Sequence, residues 1–428
     1  MNPFYQNTAM TKILFIGLTE SSHTTSWIDL LENSNFEFRL FALPTGAKPN
    51  SVNIPVYLSS HRFLRKPKYF PVKRISVFAR FKSFTLFLKF KFYFYFPINY
   101  FKLPERLKTP IKKGRLKSGM KDLAIIPSLK SVIASFKPDV IHTLGIFNAS
   151  ALYQEISTQY PLIKWVTQIR GGPDLDYNYL QESKKIIINN VLTKADYIIC
   201  DSKFNYSLAT KLGSEASKYR LGVVSGAGGI NLNLDKEINI KSDLRTVIWP
   251  KAHEGIASKA LPVLEGIKLV WHELKNVVFK IYCLDQEEVQ LWIQRNMPNE
   301  SHSKFEIYGR VVREEFLFEL SKSDIMLSPS IMDGIPNVLI ESMANGVIPI
   351  VSPIETISEF VSDPENVHFA RNLYPNEIAR ALINSLSDNS GNARKIQNNL
   401  ALVKMNYDRE IIRNKVTNFY REIKVASQ

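Results

Sequence analysis

Cysteine is nearly missing from this 428-residue chain: Cys200 and Cys283 are its two cysteines, far apart and with no CxxC pairing. That excludes a disulfide framework and a cysteine metal site, and it fits a reducing compartment. Also missing is any uninterrupted apolar run of about 18 residues, so no membrane-spanning helix is expected. The opening MNPFYQNTAMTK lacks the charged start and apolar stretch of a signal peptide, and the chain reads as cytoplasmic. Acid is lacking in one place above all. From His61 to Lys121 there are 18 Lys or Arg and a single acid, Glu105, a net +17. The other residues hold 37 basic against 39 acidic side chains, a net −2, so a near-neutral body carries one cationic insert. An anionic partner is expected to dock there.

What is present is the composition of a folded protein, 45% hydrophobic and 22% charged. The length suits two domains of about 200 residues each. Short apolar runs alternate with helical patterns, as an open parallel sheet requires. Strands are expected at 12–18, 36–43, 139–145, 164–169 and 196–202, and again at 245–250, 278–284, 304–309, 324–330, 347–352 and 366–370. The Gly-rich VSGAGGINLNLD, 224–235, separates the two series as a linker. The expected organisation is a first domain over 1–223 with a basic, aromatic insert at about 61–121, a second over 224–404, and a last helix over 405–428. The fold class is α/β, two Rossmann-like doubly wound domains facing a central cleft, with ligands at the carboxyl ends of the strands.

One stretch combines a strand, a turn and a helix with two acids: SPSIMDGIPNVLIESMANGVIPIVS, Ser328 to Ser352. Pro336 suits a helix start and Gly346 a helix stop. The crossover puts the helix N-terminus at the carboxyl edge of the sheet. There Asp333 precedes the backbone N–H groups of Gly334, Ile335 and Asn337, which a helix cannot satisfy internally and which attract phosphate or sugar oxygens. Glu341 lies about five residues further in, roughly 7.5 Å along the axis. Two acids so spaced can grip two diols of one extended ligand. The same spacing also describes a plain surface: Asn337, Glu341 and Asn345 share a helical face, and Asp333 suits an ordinary turn.

DGIPNVLIESMANGVIPIVS resembles the acid-x7-acid signature of retaining glycosyltransferases with the GT-B fold, glycosyltransferase family 4. FEIYGRVVREEFLFELSKSDIMLSPS resembles the strand, helix and strand before that signature, and TVIWPKAHEGIASKALPVLEGI its nucleotide-phosphate segment. FIGLTESSHTTSWIDLLE, KPDVIHTLG and KADYIICDS are similar to the acceptor-side domain, and MNYDREIIRNKVTNFYREI to a last helix that crosses back to it. The resemblance implies that Glu341 holds the ribose of a nucleotide sugar and Asp333 faces the sugar. Gly334, Ile335, Pro336 and Asn337 would line sugar and diphosphate, and Lys251 and Lys259 would neutralise the leaving diphosphate. The chain departs from the pattern in having Asp333 for the commoner Glu, Lys251 for Arg, and Ala260 for a Gly. Arg170 stands before a Gly where the family often has a His, and His23 follows the first strand on the same acceptor side.

The expected reaction is transfer of a sugar from a UDP- or GDP-sugar to a glycan or lipid-linked acceptor, with retention, in cell-surface polysaccharide synthesis. No metal is expected, since fixed cations and helix dipoles stabilise the leaving group. Asp174 and Asp176, in DLD, look like the D-x-D metal site of the other glycosyltransferase fold but follow a Gly-Gly-Pro turn outside its context. The alternatives are a nucleotide-sugar epimerase of the same fold and, from another class, a nucleic-acid binder using the insert; the latter lacks any reader motif. Within the insert, Arg80, Lys82, Lys89 and Lys91 stand among Phe, Leu and Tyr residues. That pattern is expected to lie on an anionic membrane surface, making the enzyme peripheral on the inner face; the other reading is that the aromatics pack into the first domain and only the basic side chains face water.

Overall fold

The structure, a computed structural model, describes residues 10–43, 52–58, 115–171, 173–232, 244–283 and 286–425. Arg80, Lys82, Lys89 and Lys91 lie outside the described residues. The first sheet is built from β1 (Thr11–Gly17), β2 (Phe36–Ala42), β3 (Val56–Leu58), β4 (Val140–Leu144), β5 (Lys164–Ile169) and β6 (Tyr197–Cys200), in the order β3-β2-β1-β4-β5-β6. The second contains β7 (Arg245–Trp249), β8 (Val277–Tyr282), β9 (Phe305–Tyr308), β10 (Ile325–Ser328), β11 (Ile348–Val351) and β12 (His368–Phe369), in the order β12-β11-β10-β7-β8-β9. Every neighbouring pair runs parallel. In each sheet the winding reverses beside the first strand, between β1 and β4 and between β7 and β10. Those reversals open the crevices in which doubly wound sheets hold ligands.

Parallel strands covered on both faces need continuous apolar runs, and β1 shows why this segment qualifies. Leu14 and Ile16 pack with Ile133 and Phe136 of α2 (Arg115–Phe136), while Ile13 and Phe15 pack on the other face with Trp27 of α1 (Ser22–Leu30). α2 takes in residues 115–121, which the charge pattern assigned to the insert. Its buried Leu129, Val132, Ile133 and Phe136 recur at three and four residues, the period of a helix with one covered face. β3 was not expected. Three residues, VYL, are too short for a pattern, and they form the edge strand through register with β2, Leu40 opposite Val56. The helices that complete the first domain are α3 (Glu182–Lys194) and α4 (Lys203–Lys211).

The second domain contributes α5 (Ala260–Leu269), α6 (Gln286–Asn296), α7 (Arg313–Lys322), α8 (Asn337–Ala344), α9 (Pro375–Ser387) and α10 (Asn389–Tyr407). At Asp408 the chain turns, and α11 (Arg409–Val425) leaves for the first domain. Asp408 starts the new helix by accepting the amides of Glu410 at 2.8 Å and Ile411 at 3.3 Å. Ile412, Val416, Phe419, Tyr420 and Ile423 form the apolar stripe of α11 and sink into the first core beside Trp27 and Phe36. The two chain crossings between domains meet at one point. Ile230 N–H donates to Tyr407 at 2.9 Å and Arg409 N–H to Ile230 at 3.0 Å. The Arg409 guanidinium then donates to the Ser26 carbonyl at 2.7 Å and to Ala227 at 3.3 Å.

Among the described residues no helix is long and apolar enough to cross a membrane. At the base of α11, the Tyr420 hydroxyl accepts from Trp27 Nε1 at 3.4 Å and lies 2.5 Å from Nδ1 of His142, a fully buried β4 residue. Burial holds His142 well below the usual imidazole range, with the nearby Arg170 charge adding to the effect, so the ring is neutral, and its Nδ1 shares a hydrogen bond with the Tyr420 hydroxyl. Tyr420→Phe leaves that nitrogen buried and unpaired, and it should destabilise the protein by about 1–2 kcal/mol. Urea unfolding followed by tryptophan fluorescence measures this. An unchanged midpoint would show that the pair contributes nothing to the docking of α11.

Candidate active site in the cleft

β10 ends at Ser328, and the loop that follows is fixed before α8 begins. Ser330 N–H donates to Ser352 Oγ at 3.0 Å and Ile331 N–H to Ala257 at 2.7 Å. Asp333 accepts its neighbour Gly334's amide at 3.0 Å, and its backbone carbonyl accepts from Thr356 Oγ1 at 2.9 Å. Its other carboxylate oxygen meets the Lys251 ammonium. Ile335 and Pro336 complete the approach, with Pro336 capping the helix and Asn337 its first residue. The helix stops as its sequence indicates: Gly346 adopts φ +69°, and Val347 N–H returns to Ser342 at 2.9 Å. Glu341 is not on a solvated stripe. Its side chain is 6% exposed and pairs with the guanidinium of Arg313, the first residue of α7. Burial raises the Glu341 pKa above the usual carboxylate value, and Arg313 opposes the rise.

Lys251 follows β7 at the second domain's reversal point, facing the loop after β10. Lys259 precedes α5. Its backbone is clamped by Asn372, which accepts the Lys259 amide at 3.0 Å and donates to the Lys259 carbonyl at 3.1 Å. Its ammonium lies 3.7 Å from Glu254, whose other oxygen accepts the Leu261 amide at 2.9 Å. A carboxylate thus sits on the α5 N-terminus, the position at which the dipole and the free N–H groups favour an anion. Lys251 and Lys259 are each more than a third exposed, so both are reachable from solvent.

The first domain supplies the opposite wall. His23, the second residue of α1, comes within 3.4 Å of Asn337 across the cleft. Its pKa falls to about 3, through burial and through the charges of Arg170, Lys251 and Arg313, so it is a neutral imidazole. Arg170 is built in rather than offered: it donates to Gln168 at 2.9 Å, Thr24 Oγ1 at 3.2 Å and the His23 carbonyl at 3.4 Å, fixing the start of α1. Asp174 accepts the amides of Arg170 at 2.8 Å and Ile146 at 3.3 Å, and Asp176 accepts that of Tyr177 at 2.6 Å. Both DLD acids therefore organise backbone, and among the described residues no group of three or more His, Cys, Asp or Glu is disposed for a metal. The domains touch at Gly334. A Cβ there would come 2.4 Å from Asp201 Oδ2 and 2.7 Å from Gly171 Cα, so only glycine fits. Asp201 in turn accepts the Gly171 amide at 2.7 Å and Asn205 Nδ2 at 2.8 Å.

Arg313, Glu254 and Asp201 escaped the sequence reading, and so did the tie at Arg409. Arg313 did carry a signal: a cation in the first helical turn opposes the dipole, so its place there calls for another partner.

Residues 258–388 match the family model described as glycosyl transferases group 1. No curated protein is matched by the sequence. Among solved structures, the chain is similar to sucrose-phosphate synthase (tll1590) from Thermosynechococcus elongatus, with TM-score 0.67 and 15% identity over 97% of this chain and 100% of that one. It is similar to Anabaena Alr3699/HepE in complex with UDP-glucose, with TM-score 0.65 and 13% identity over 96% and 99%. A glycosyltransferase from Rickettsia africae matches with TM-score 0.62 and 14% identity over 97% and 99%. The pair of six-stranded parallel sheets is thus the GT-B fold.

Gly334→Ala should force the seam between Gly334 and Asp201 apart. Small-angle scattering is expected to give a larger radius of gyration for the variant, with faster hydrogen exchange at the Gly171 amide. Identical scattering and exchange would mean that the domains do not meet there in solution.

Proposed function

We propose that this chain is a nucleotide-sugar-dependent glycosyltransferase, with the donor in the crevice of the second domain and the acceptor entering from the first. The observation that carries this reading is the meeting of Lys251, Asp333 and the Arg313–Glu341 pair around the loop and helix that follow β10. The match of residues 258–388 to the glycosyl transferases group 1 model covers that loop and helix, and a GT-B protein of known structure was crystallised with UDP-glucose. Glu341 takes the ribose diol, being buried, paired with Arg313 and one helical turn beyond Asn337. Asp333 faces the sugar, and the amides at the start of α8 meet its oxygens. Lys251 and Lys259 take the diphosphate, whose charge grows as the glycosidic bond breaks.

Two pairings in this structure set the energetics of that step. A diphosphate must compete with Asp333 for Lys251 and with Glu254 for Lys259 and the α5 amides. A dianion held by several charge-assisted hydrogen bonds outweighs a single carboxylate on each lysine. His23, neutral throughout the physiological range, can bond a sugar hydroxyl without adding charge near the anomeric carbon. The reaction is inferred to retain anomeric configuration, and the acceptor to be a glycan or a lipid-linked glycan of the cell envelope.

Product analysis tests this. With a UDP- or GDP-sugar alone the enzyme should release nucleoside diphosphate and free sugar slowly. A new nucleotide sugar instead would indicate epimerisation. Glu341→Ala should raise the donor KM by about 10-fold or more, the loss of hydrogen bonds to a charged acceptor, while Asp333→Ala lowers kcat with little change in KM. Lys259→Glu should abolish turnover and Lys259→Arg retain it. Wild-type kinetics in Glu341→Ala and Asp333→Ala would remove the donor from this crevice.

A further inference from the structure

Arg313 is half exposed and lies 28 residues from the acid it touches, on a different helix. Nothing in its own segment explains it: α7 continues with Glu314 and Glu315, which suit a helix start, whereas a cation there is disfavoured by the dipole. Its guanidinium instead reaches Oε1 of Glu341, one of the few acids in the second domain with a nearly covered side chain. Among the described residues, Arg313 is the charged group whose field acts on Glu341. Across the cleft the same field falls on the neutral His23 and on Arg409.

We propose that Arg313 is a positioning residue for the nucleotide: its guanidinium takes Glu341 Oε1 and holds the carboxylate charged and oriented, leaving Oε2 to a ligand hydroxyl. The inference rests on the donor reading above and assigns a further residue to the same site. The reason is one of balance. A carboxylate with so little exposure tends to take up a proton, and a protonated Glu341 loses half its capacity to accept from a diol. A guanidinium on one oxygen keeps the acid ionised, directs it through a charge-assisted hydrogen bond, and leaves the second oxygen's lone pairs available. Arg suits this better than Lys, because the planar group stays put when the ligand arrives and can keep its other N–H groups toward the cleft.

The test is a double-mutant cycle read by calorimetric titration of UDP and GDP into the intact protein at several pH values. Arg313→Met should weaken nucleoside diphosphate binding by about tenfold at neutral pH, and by more as pH falls, because Glu341 then protonates earlier. Arg313→Lys should recover part of the loss. Glu341→Gln should bind weakly with a flat pH profile, and adding Arg313→Met to it should cost nothing further. The inference is overturned if Arg313→Met binds like wild type, if its loss is the same at every pH, or if the loss is as large beside Glu341→Gln as alone, since Arg313 would then act on the ligand directly. Wild-type protein that binds no nucleoside diphosphate would instead overturn the donor reading on which the inference stands. Should Arg313→Met melt early, the comparison of Arg313→Lys with wild type across pH decides by the same criteria.

Discussion

A charge withdrawn from water must be paired, and the cleft is arranged around that requirement. Asp333 faces Lys251, Glu341 faces Arg313, and Glu254 faces both Lys259 and the amide of Leu261. The Lys251–Asp333 and Arg313–Glu341 pairs join different segments, so they also set where those segments stop. Lys251 ties the exit of β7 to the loop after β10, and Arg313 ties the start of α7 to the middle of α8. Partly exposed pairs of this kind add little net stability, because solvent screening and desolvation offset attraction. Their value here is directional: they hold three cations and three acids around one crevice with the cations partly exposed. An incoming anion therefore meets preformed partners rather than a surface that must reorganise.

The wall opposite obeys the same rule by the other route. His23 and His142 escape the cost of burial by staying neutral, and Arg170 does so by spending its donors on Gln168, Thr24 and the His23 carbonyl. The neutral edge of α1 can then approach the N-terminus of α8 without repulsion from Lys251. The approach is set by backbone: Gly334 lies against Gly171 and Asp201, and the crossings at Ile230, Tyr407 and Arg409 place α1 relative to the second domain through Ser26. A change at either contact acts on the cleft without touching a ligand.

Much of the sheet architecture was legible because parallel strands must be apolar on both faces, and KILFIGL or DIMLSPS can hardly be anything else. β3 was illegible since VYL is too short to show a period. The site divides along the same line. Asp333, Gly334 and Pro336 stand in a turn followed by a helix that the pattern alone shows, whereas Lys251 and Lys259 were singled out through the family resemblance and by no local pattern. Glu341 was ambiguous between a ligand-binding acid and a solvated one, because helical spacing says which residues share a face but not which face is covered. Arg313, Glu254, Asp201 and Arg409 depend on contacts between segments far apart in the chain. No local pattern encodes such contacts, although a cation at the wrong end of a helix is a hint.

The paired cations of the second domain's crevice are proposed to receive a nucleoside diphosphate. The most direct measurement is calorimetric titration of the intact protein with UDP, GDP and the corresponding free nucleosides. One diphosphate is expected to bind with one site per chain, its nucleoside to bind far more weakly, and added salt to weaken the diphosphate selectively. Equal binding of nucleoside and diphosphate, or no binding of either diphosphate, would contradict this proposal.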